Sequence, residues 1–164
     1  MSDQAAAVEV TIPCSGWRAD CAGAERFAEA AAQLALERSD APPAALVAIT
    51  LADDETQRAL NRRWRGKDAP TNVLAFPAAD PAVRIPDGAP LLLGDVVLAF
   101  ETVRREAAEQ RKPLADHLRH LVVHGVLHLL GYDHDRDGDA EAMEAREIAI
   151  LAELGVSNPY RDTM

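Results

Sequence analysis

Residues 120–134 read HLVVHGVLHLLGYDH, a stretch that contains four of the five histidines of the chain. His124 and His128 are four residues apart, a spacing that places two side chains on one face of an α-helix, roughly 5–6 Å apart at Cβ. Gly131 follows, and a glycine just beyond a helix commonly takes the left-handed conformation that ends it. We expect the chain to turn there and to bring His134 back toward the first two histidines.

Three imidazoles at this spacing predict a single transition-metal site. Neutral histidine side chains suit zinc and related divalent ions, and three protein ligands leave a fourth coordination position for water. Because structural zinc sites are usually closed by four protein ligands, an open position favours catalysis. His124, His128 and His134 are therefore the candidate ligands of one zinc ion.

The helix that carries the first two histidines is predicted to be buried. A helix that is apolar on almost every side is typical of a protein core. Two histidines in such a helix are costly unless each has a partner, and a shared metal ion would supply one. The apolar residues of this segment are Leu121, Val122, Val123, Val126, Leu127, Leu129 and Leu130.

Two further histidines, His117 and His120, lie earlier on the same predicted helix. His120 is four residues before His124 and could form a competing pair with it, but no third ligand is placed to serve that pair. We therefore interpret both residues either as solvent-facing or as groups that orient the metal ligands through hydrogen bonds.

The histidine spacing also resembles that of the metzincin proteases, H-E-x-x-H-x-x-G-x-x-H. Both histidine intervals and the glycine match, but Gly125 stands where those enzymes have the glutamate that acts as general base. A zincin-like scaffold without that carboxylate disfavours peptide hydrolysis. Met143 is interpreted as a core residue of a later helix rather than as a Met-turn.

The composition describes an ordinary globular protein, and we expect a single domain over residues 1–164. The chain is 48% hydrophobic and 27% charged, with a formal net charge of −10, which argues against nucleic-acid binding over the whole surface. No apolar run is long enough for a membrane helix, and the first residues do not resemble a signal peptide. Cys14 and Cys21 are expected to be reduced, with a structural or incidental role.

Periodicity and turn residues predict alternating strands and helices. The predicted strands are 8–12, 45–51, 72–76 and 91–99, with Pro77 ending the third. The predicted helices are 24–38, a helix capped by Asp53 or Asp54 that runs to Arg65, then 100–110, 114–130 and 139–154. This order predicts an α/β (α+β) domain in which one mixed, roughly four-stranded sheet packs against about five helices, with the metal helix most buried.

A basic cluster interrupts this acidic sequence at the end of the second predicted helix. Most of the cluster is interpreted as a solvated helix face. Arg65 is the exception, because it lies at the helix exit, where its forked guanidinium could hold a phosphate in a cleft. A metal ion that activates water, together with a nearby cation, suffices in principle for phosphodiester hydrolysis. The cluster comprises Arg58, Arg62, Arg63, Arg65 and Lys67.

The chain resembles the YbeY family of bacterial endoribonucleases, which act in ribosomal RNA maturation. The resemblance rests on LNRRWRGKDAPTNVLAFP at 60–77, LLGDVVLA at 92–99 and HLVVHGVLHLLGYDH at 120–134. Two departures are mild: Trp64 stands where members of the family often have tyrosine, and Ala75 where many have serine.

This resemblance implies a zinc-dependent, single-strand-specific endoribonuclease in which His124, His128 and His134 hold the metal and Arg65 serves the RNA phosphate. It also implies a cytoplasmic protein that acts at the 3′ end of the small-subunit ribosomal RNA and in ribosome quality control. The implied partners are ribosomal RNA and ribosomal particles, with a small-subunit ribosomal protein or an assembly GTPase as further candidates. A preorganised ribosomal target would explain how an acidic protein binds RNA.

Two other functions stay open from the sequence. The protein could be a metal-dependent hydrolase of another substrate, such as a peptide or a small phosphoester. It could also be a ribosome-assembly factor that docks a ribosomal protein and whose metal is structural. The role of Asp133 is open as well: beside His134 it could accept a hydrogen bond from that ligand, shuttle a proton, or only bind loop amides.

Overall fold

The computed structural model describes residues 6–39, 41–42, 44–78, 91–132 and 137–160. Four strands and six helices occur within these ranges, and the α/β architecture with one mixed four-stranded sheet confirms the prediction. In chain order the elements are β1 (Ala7–Thr11), α1 (Gly16–Asp20), α2 (Ala24–Arg38), β2 (Ala45–Ala52), α3 (Asp54–Arg65), β3 (Val73–Pro77), β4 (Leu91–Ala99), α4 (Phe100–Glu109), α5 (Leu114–Leu129) and α6 (Asp137–Glu153).

The sheet has the strand order β1-β2-β4-β3. β2 is parallel to both β1 and β4, whereas β3 runs antiparallel to β4 and forms an edge of the sheet. The third strand was predicted at 72–76, but it spans Val73–Pro77, and Pro77 is its last paired residue, opposite Gly94. An edge strand tolerates a proline since its outer side needs no backbone donor.

Gly94 allows β3 and β4 to approach closely. Its φ is +153°, and a Cβ at this position would overlap the carbonyl oxygen of Phe76 on β3. The register between β2 and β4 shifts just before it, where Val47 pairs with Gly94 rather than with the residue after Leu92. A residue without a side chain is therefore required here, and it fixes which way the following residues of β4 point.

Helices α2 and α5 pack on one face of the sheet and enclose the main core. α3 lies across the opposite face, where the Nε2 of the buried Gln57 donates to the carbonyl oxygen of Val97 at 2.8 Å. Because side chains alternate along a strand, neighbouring residues of β4 serve two different environments. The strand residues that point into the main core are Val47, Ile49 and Leu51 of β2 and Val96 and Leu98 of β4.

Helix α5 is largely buried, as its apolar sequence predicts: 8 of its 16 residues are buried. It contacts α2, α4, α6, β3 and β4, so its position is fixed from several sides. None of the described helices is long and apolar enough to span a bilayer.

The short helix α1 is an addition to the five predicted helices. It carries Trp17, which is fully buried and whose Nε1 donates to the carbonyl oxygen of Ala52 at 2.9 Å. The ring of Phe100 packs edge-on against it, with 5.2 Å between the ring centroids. This helix closes one end of the core, far along the chain from the histidines.

Candidate active site

An open cleft of about 350 Å³ lies between α5, the end of α3 and the edge strand β3. His124 and His128 both line it, so the four-residue spacing does place the two imidazoles on one face, as predicted. Arg65 lines the same cleft. The structure therefore brings together three of the four residues that the sequence singled out, although Arg65 is 59 residues before His124 in the chain. Other polar lining residues are Asn72, His120 and Tyr160.

The end of α5 confirms the predicted glycine stop. Gly131 has a φ of +103°, and its N–H donates to the carbonyl oxygen of His128 at 3.1 Å. The N–H of Tyr132 donates to the carbonyl oxygen of Leu127 at 3.1 Å, which completes a Schellman motif. The chain leaves the helix axis at Gly131, directly after the turn that carries His128.

The third predicted ligand, His134, and its neighbour Asp133 lie outside the described residues. Among the residues that are described, no group of three or more histidine, cysteine or carboxylate side chains is placed to hold a metal ion. The prediction of a three-histidine site thus stays a prediction, with two of its ligands in one cleft.

Gly125 lines the cleft and also packs against the sheet. A Cβ at this position would lie 2.7 Å from Cγ1 of Val96 on β4. Because Val96 is fully buried and stiff at its β-branched side chain, it has little room to give way. The glutamate that a metzincin has at this position would therefore not fit without a shift of α5 away from the sheet.

A buried carboxylate, Glu147 of α6, supports the candidate ligand His124 through a hydrogen bond. Nδ1 of His124 lies 2.8 Å from Oε1 of Glu147, a residue with no exposed surface. Since a carboxylate only accepts, the proton lies on Nδ1 and the lone pair on Nε2. Metal-binding histidines are commonly oriented in this way by a carboxylate, so the donor chemistry of His124 fits a zinc ion.

The other oxygen of Glu147 is held by two more groups. Oε2 accepts from Nε2 of His120 at 3.1 Å and from the hydroxyl of Tyr160 at 2.5 Å. Burial alone would raise the pKa of Glu147, but the hydrogen bonds from His120, His124 and Tyr160 together lower it to about 2. Burial and the hydrogen bond to Glu147 raise the pKa of Tyr160 well above its usual range. The carboxylate is therefore ionised, and both of its oxygens are engaged.

His117 is buried rather than solvent-facing, whereas His120 is partly exposed and lines the cleft. His117 is 3% exposed, and its Nε2 lies 2.8 Å from Oε1 of Glu106. The same carboxylate oxygen accepts from Nδ2 of Asn72 at 3.0 Å, which links His117 to the wall of the cleft. Burial lowers the pKa of His117, and the hydrogen bond to Glu106 opposes this in part. Both histidines hydrogen-bond carboxylates, and His120 shares its carboxylate, Glu147, with the candidate ligand His124.

Arg65 reaches the cleft because α3 begins and ends where the sequence predicted. Oδ1 of Asp53 accepts from the N–H of Thr56 at 2.7 Å and caps the first turn, and Gly66 ends the helix with a φ of +73°. Most of the basic cluster is exposed, as expected, and Arg58 forms an ion pair with Asp68 at 2.8 Å. Arg65 alone of this cluster lines the histidine cleft.

Glu147 and Tyr160 were not among the predicted site residues. One signal for Glu147 exists in the sequence, since it lies four residues after Met143 and three before Ile150, on the apolar stripe of α6. A carboxylate on a buried stripe needs a partner, and histidines are natural candidates. Nothing comparable marks Tyr160, which reaches Glu147 from beyond the end of α6.

The chain is similar to proteins of one known family. The family model described as Endoribonuclease YbeY matches residues 16–155. The Endoribonuclease YbeY of Paramagnetospirillum magneticum is 53% identical over 155 residues, which are 93% of this chain and 94% of that protein. The Endoribonuclease YbeY of a Bradyrhizobium species is 52% identical over 156 residues, covering 94% of this chain and 92% of that protein.

A solved structure supports the fold. The solution structure of a Thermotoga maritima protein superposes with a TM-score of 0.53 at 22% sequence identity, covering 96% of this chain and 99% of that one. At this identity the likeness concerns the arrangement of helices and strands alone.

Proposed function

Because the chain belongs to the YbeY family of endoribonucleases, we propose that it is a single-strand-specific, metal-dependent endoribonuclease acting in ribosomal RNA maturation and ribosome quality control. One observation carries the proposal. Two histidines on one helix face and an arginine from a helix far away in the sequence line the same open cleft. A cleft with these groups suits an anionic substrate whose phosphodiester bond is hydrolysed.

In this proposal His124, His128 and His134 hold one zinc ion. When bound, zinc supplies a Lewis acid that makes water nucleophilic near neutral pH. Arg65 binds the scissile phosphate and stabilises the negative charge that develops during the reaction. Glu147 keeps the ring of His124 in the orientation and tautomer that a ligand needs.

The carboxylates near the cleft support RNA over a peptide as substrate. Gly125 leaves no side chain where a zincin protease has its general base, and Glu147 is fully buried with both oxygens engaged. Glu106 is also engaged, by His117 and Asn72. Since a zincin peptidase deprotonates water with a free carboxylate in the cleft, the described residues favour a reaction in which the substrate's own phosphate is the charged partner.

We further propose that the substrate is the 3′ end of the small-subunit ribosomal RNA, free or in ribosomal particles, in the cytoplasm. A small-subunit ribosomal protein or an assembly GTPase would bind the protein and bring this RNA to the cleft. The formal net charge of −10 supports such a presentation, because the protein's overall field repels RNA and a preformed complex would supply the missing affinity.

The test is cleavage of labelled precursor small-subunit ribosomal RNA, free and in particles, with zinc present. We expect the wild type to cut, and His128→Ala and Arg65→Ala to lose at least about 100-fold in rate, the order of magnitude for removing a charge-stabilising group. Arg26→Ala, which removes an exposed arginine of α2, is the matched control and should cut like the wild type.

Two outcomes would contradict the proposal. Equal cutting by wild type and His128→Ala would indicate a contaminating nuclease. No cutting by any variant, even on particles, would favour the alternative of an assembly factor that docks on the ribosome and whose metal is structural.

A further inference from the structure

A second groove lies between α3 and the sheet, across the edge strand β3 from the histidine cleft. It has a volume of about 620 Å³, and no step proposed above uses it. We call it the α3 groove. Its walls come from the outer face of the sheet and from one side of α3, and its lining includes Thr50, Leu60, Trp64, Phe76, Asp95 and Val97.

Trp64 is the most exposed large hydrophobic side chain among the described residues. Its exposed fraction is 65%, whereas Trp17, the only other tryptophan of the chain, is fully buried. The guanidinium of Arg63 lies over the Trp64 ring, 5.2 Å from its centroid. An exposed aromatic face beside a cation is the arrangement on which unpaired nucleic-acid bases stack.

Trp64 directly precedes Arg65, and the two side chains serve different sites. Arg65 lines the histidine cleft and Trp64 lines the α3 groove. Because consecutive residues of a helix point in different directions, Trp64 and Arg65 present their side chains to two sites that one RNA strand can reach together. The end of α3 is thus the bridge between the two sites.

Asp95 gives the groove a polar acceptor. No described residue donates a hydrogen bond to its carboxylate, which is half-buried on β4 opposite Phe76. Burial raises the pKa of Asp95. Carboxylates read bases by accepting from their amino and imino groups, and guanine offers two adjacent donors where uracil offers one.

Charge around the groove favours RNA over a basic or neutral protein segment. No described carboxylate forms an ion pair with Arg62, Arg63 or Arg65, whereas Arg58 is neutralised by Asp68. Three cations at one helix end without an ion-pair partner among the described residues form a local attraction for a phosphate backbone in a chain of net charge −10.

We infer that the α3 groove is a base-binding subsite for the RNA whose phosphate lies at Arg65, with Trp64 stacking on the base and Asp95 accepting from its amino and imino groups. The inference rests on the proposed function, because its ligand is part of the same substrate. It predicts a preference for guanine over uracil at one position beside the cut.

Tryptophan fluorescence can test this directly, because only Trp64 is exposed to quenching by a stacked base. The probes are cleavage-resistant 2′-O-methyl hexamers, one of uracil alone and others with a single central guanine. We expect the guanine hexamer to quench the emission and to bind roughly tenfold more tightly than the uracil hexamer, in line with one bidentate base contact.

Variants separate stacking from base reading. Trp64→Ala should weaken binding of the guanine hexamer, followed by fluorescence anisotropy of a labelled RNA, by roughly tenfold. Trp64→Tyr should restore most of it. Asp95→Asn should keep the quenching but lose most of the guanine preference. Leu92→Ala, which removes another exposed apolar side chain, should behave like the wild type.

A cleavage assay with matching hexamers that contain ordinary ribose separates a failure of the subsite from a failure of the proposed nuclease. Cleavage without Trp64-dependent quenching and without base preference would overturn the subsite alone. Quenching with guanine preference but no cleavage, free or on particles, would uphold the subsite and overturn the proposed nuclease.

Discussion

At the scale of single residues, Glu147 contacts two histidines of the candidate site without lining the cleft. A fully buried carboxylate is tolerated only because three donors satisfy it, and one of them is a candidate metal ligand. Removing its charge by substitution with glutamine would leave one acceptor oxygen for three donors, so the hydrogen bond that fixes the tautomer of His124 would face competition. The substitution should therefore weaken metal binding more than it lowers the stability of the fold.

We expect Glu147→Gln to weaken zinc binding by about 10- to 100-fold, the usual loss when a hydrogen-bond partner of a ligand is changed. Competition with a chromophoric chelator measures the affinity, and nitrogen chemical shifts of the histidine rings report the tautomer. Glu141→Gln makes the same charge change on the exposed side of α6 and is the control. Unchanged affinity and tautomer in Glu147→Gln would remove this residue from the site.

At the scale of elements, the close approach of α5 to β4 depends on Gly125. Alanine has the better helix propensity by about 1 kcal/mol, so an uncrowded glycine in a helix would gain stability from the change. Here the new methyl group would meet Cγ1 of Val96 at 2.7 Å. Overpacking of a core usually costs 1–3 kcal/mol, so crowding should outweigh propensity.

We therefore expect Gly125→Ala to lower the free energy of unfolding by roughly 1–2 kcal/mol, measured by urea denaturation. Val96→Ala should also destabilise, through a cavity. The double variant should be more stable than the sum of the two losses predicts, because each change relieves the other. Strict additivity would show that the contact between α5 and β4 is not the cause.

The elements themselves were largely predictable, and the exceptions have physical reasons. The bounds of α2 and β4 match the predicted ranges 24–38 and 91–99, because their residue patterns are long and end at clear turn signals. α1 was missed since five residues are too few for a helical period. His124, His128 and Arg65 could be named because spacing and position mark them. Glu147 and Tyr160 could not, because their hydrogen bonds exist only once α6 packs on α5.

At the scale of the whole molecule, charge is distributed unevenly. The net charge is −10, yet Arg62, Arg63, Arg65 and Lys67 concentrate at the end of one helix. Few phosphates can be neutralised by so small a cluster, while the remaining surface repels a polyanion. Affinity for free RNA should thus be weak and only moderately dependent on salt.

We expect log K for a single-stranded RNA to fall with log salt concentration with a slope no steeper than about −3, that is about −0.7 for each of four cations. Arg65→Ala should reduce the slope by about 0.7 to 1, while Arg26→Ala on α2 should leave it unchanged. Titrations at several potassium chloride concentrations measure it. A slope near −6 would mean that a larger basic surface binds the RNA.

The edge strand β3 separates the two sites, and this sets a demand on the shape of a substrate. Val73 and Ala75 line the histidine cleft, while Phe76 and Pro77 line the α3 groove. An RNA that occupies both sites must bend around the edge of the sheet. Its phosphate then lies in the histidine cleft and a base lies in the α3 groove. A duplex keeps its bases stacked inside a wide, regular helix and cannot follow such a bend. Unpaired ends and loops can follow it, so the edge of the sheet would itself select flexible, single-stranded RNA.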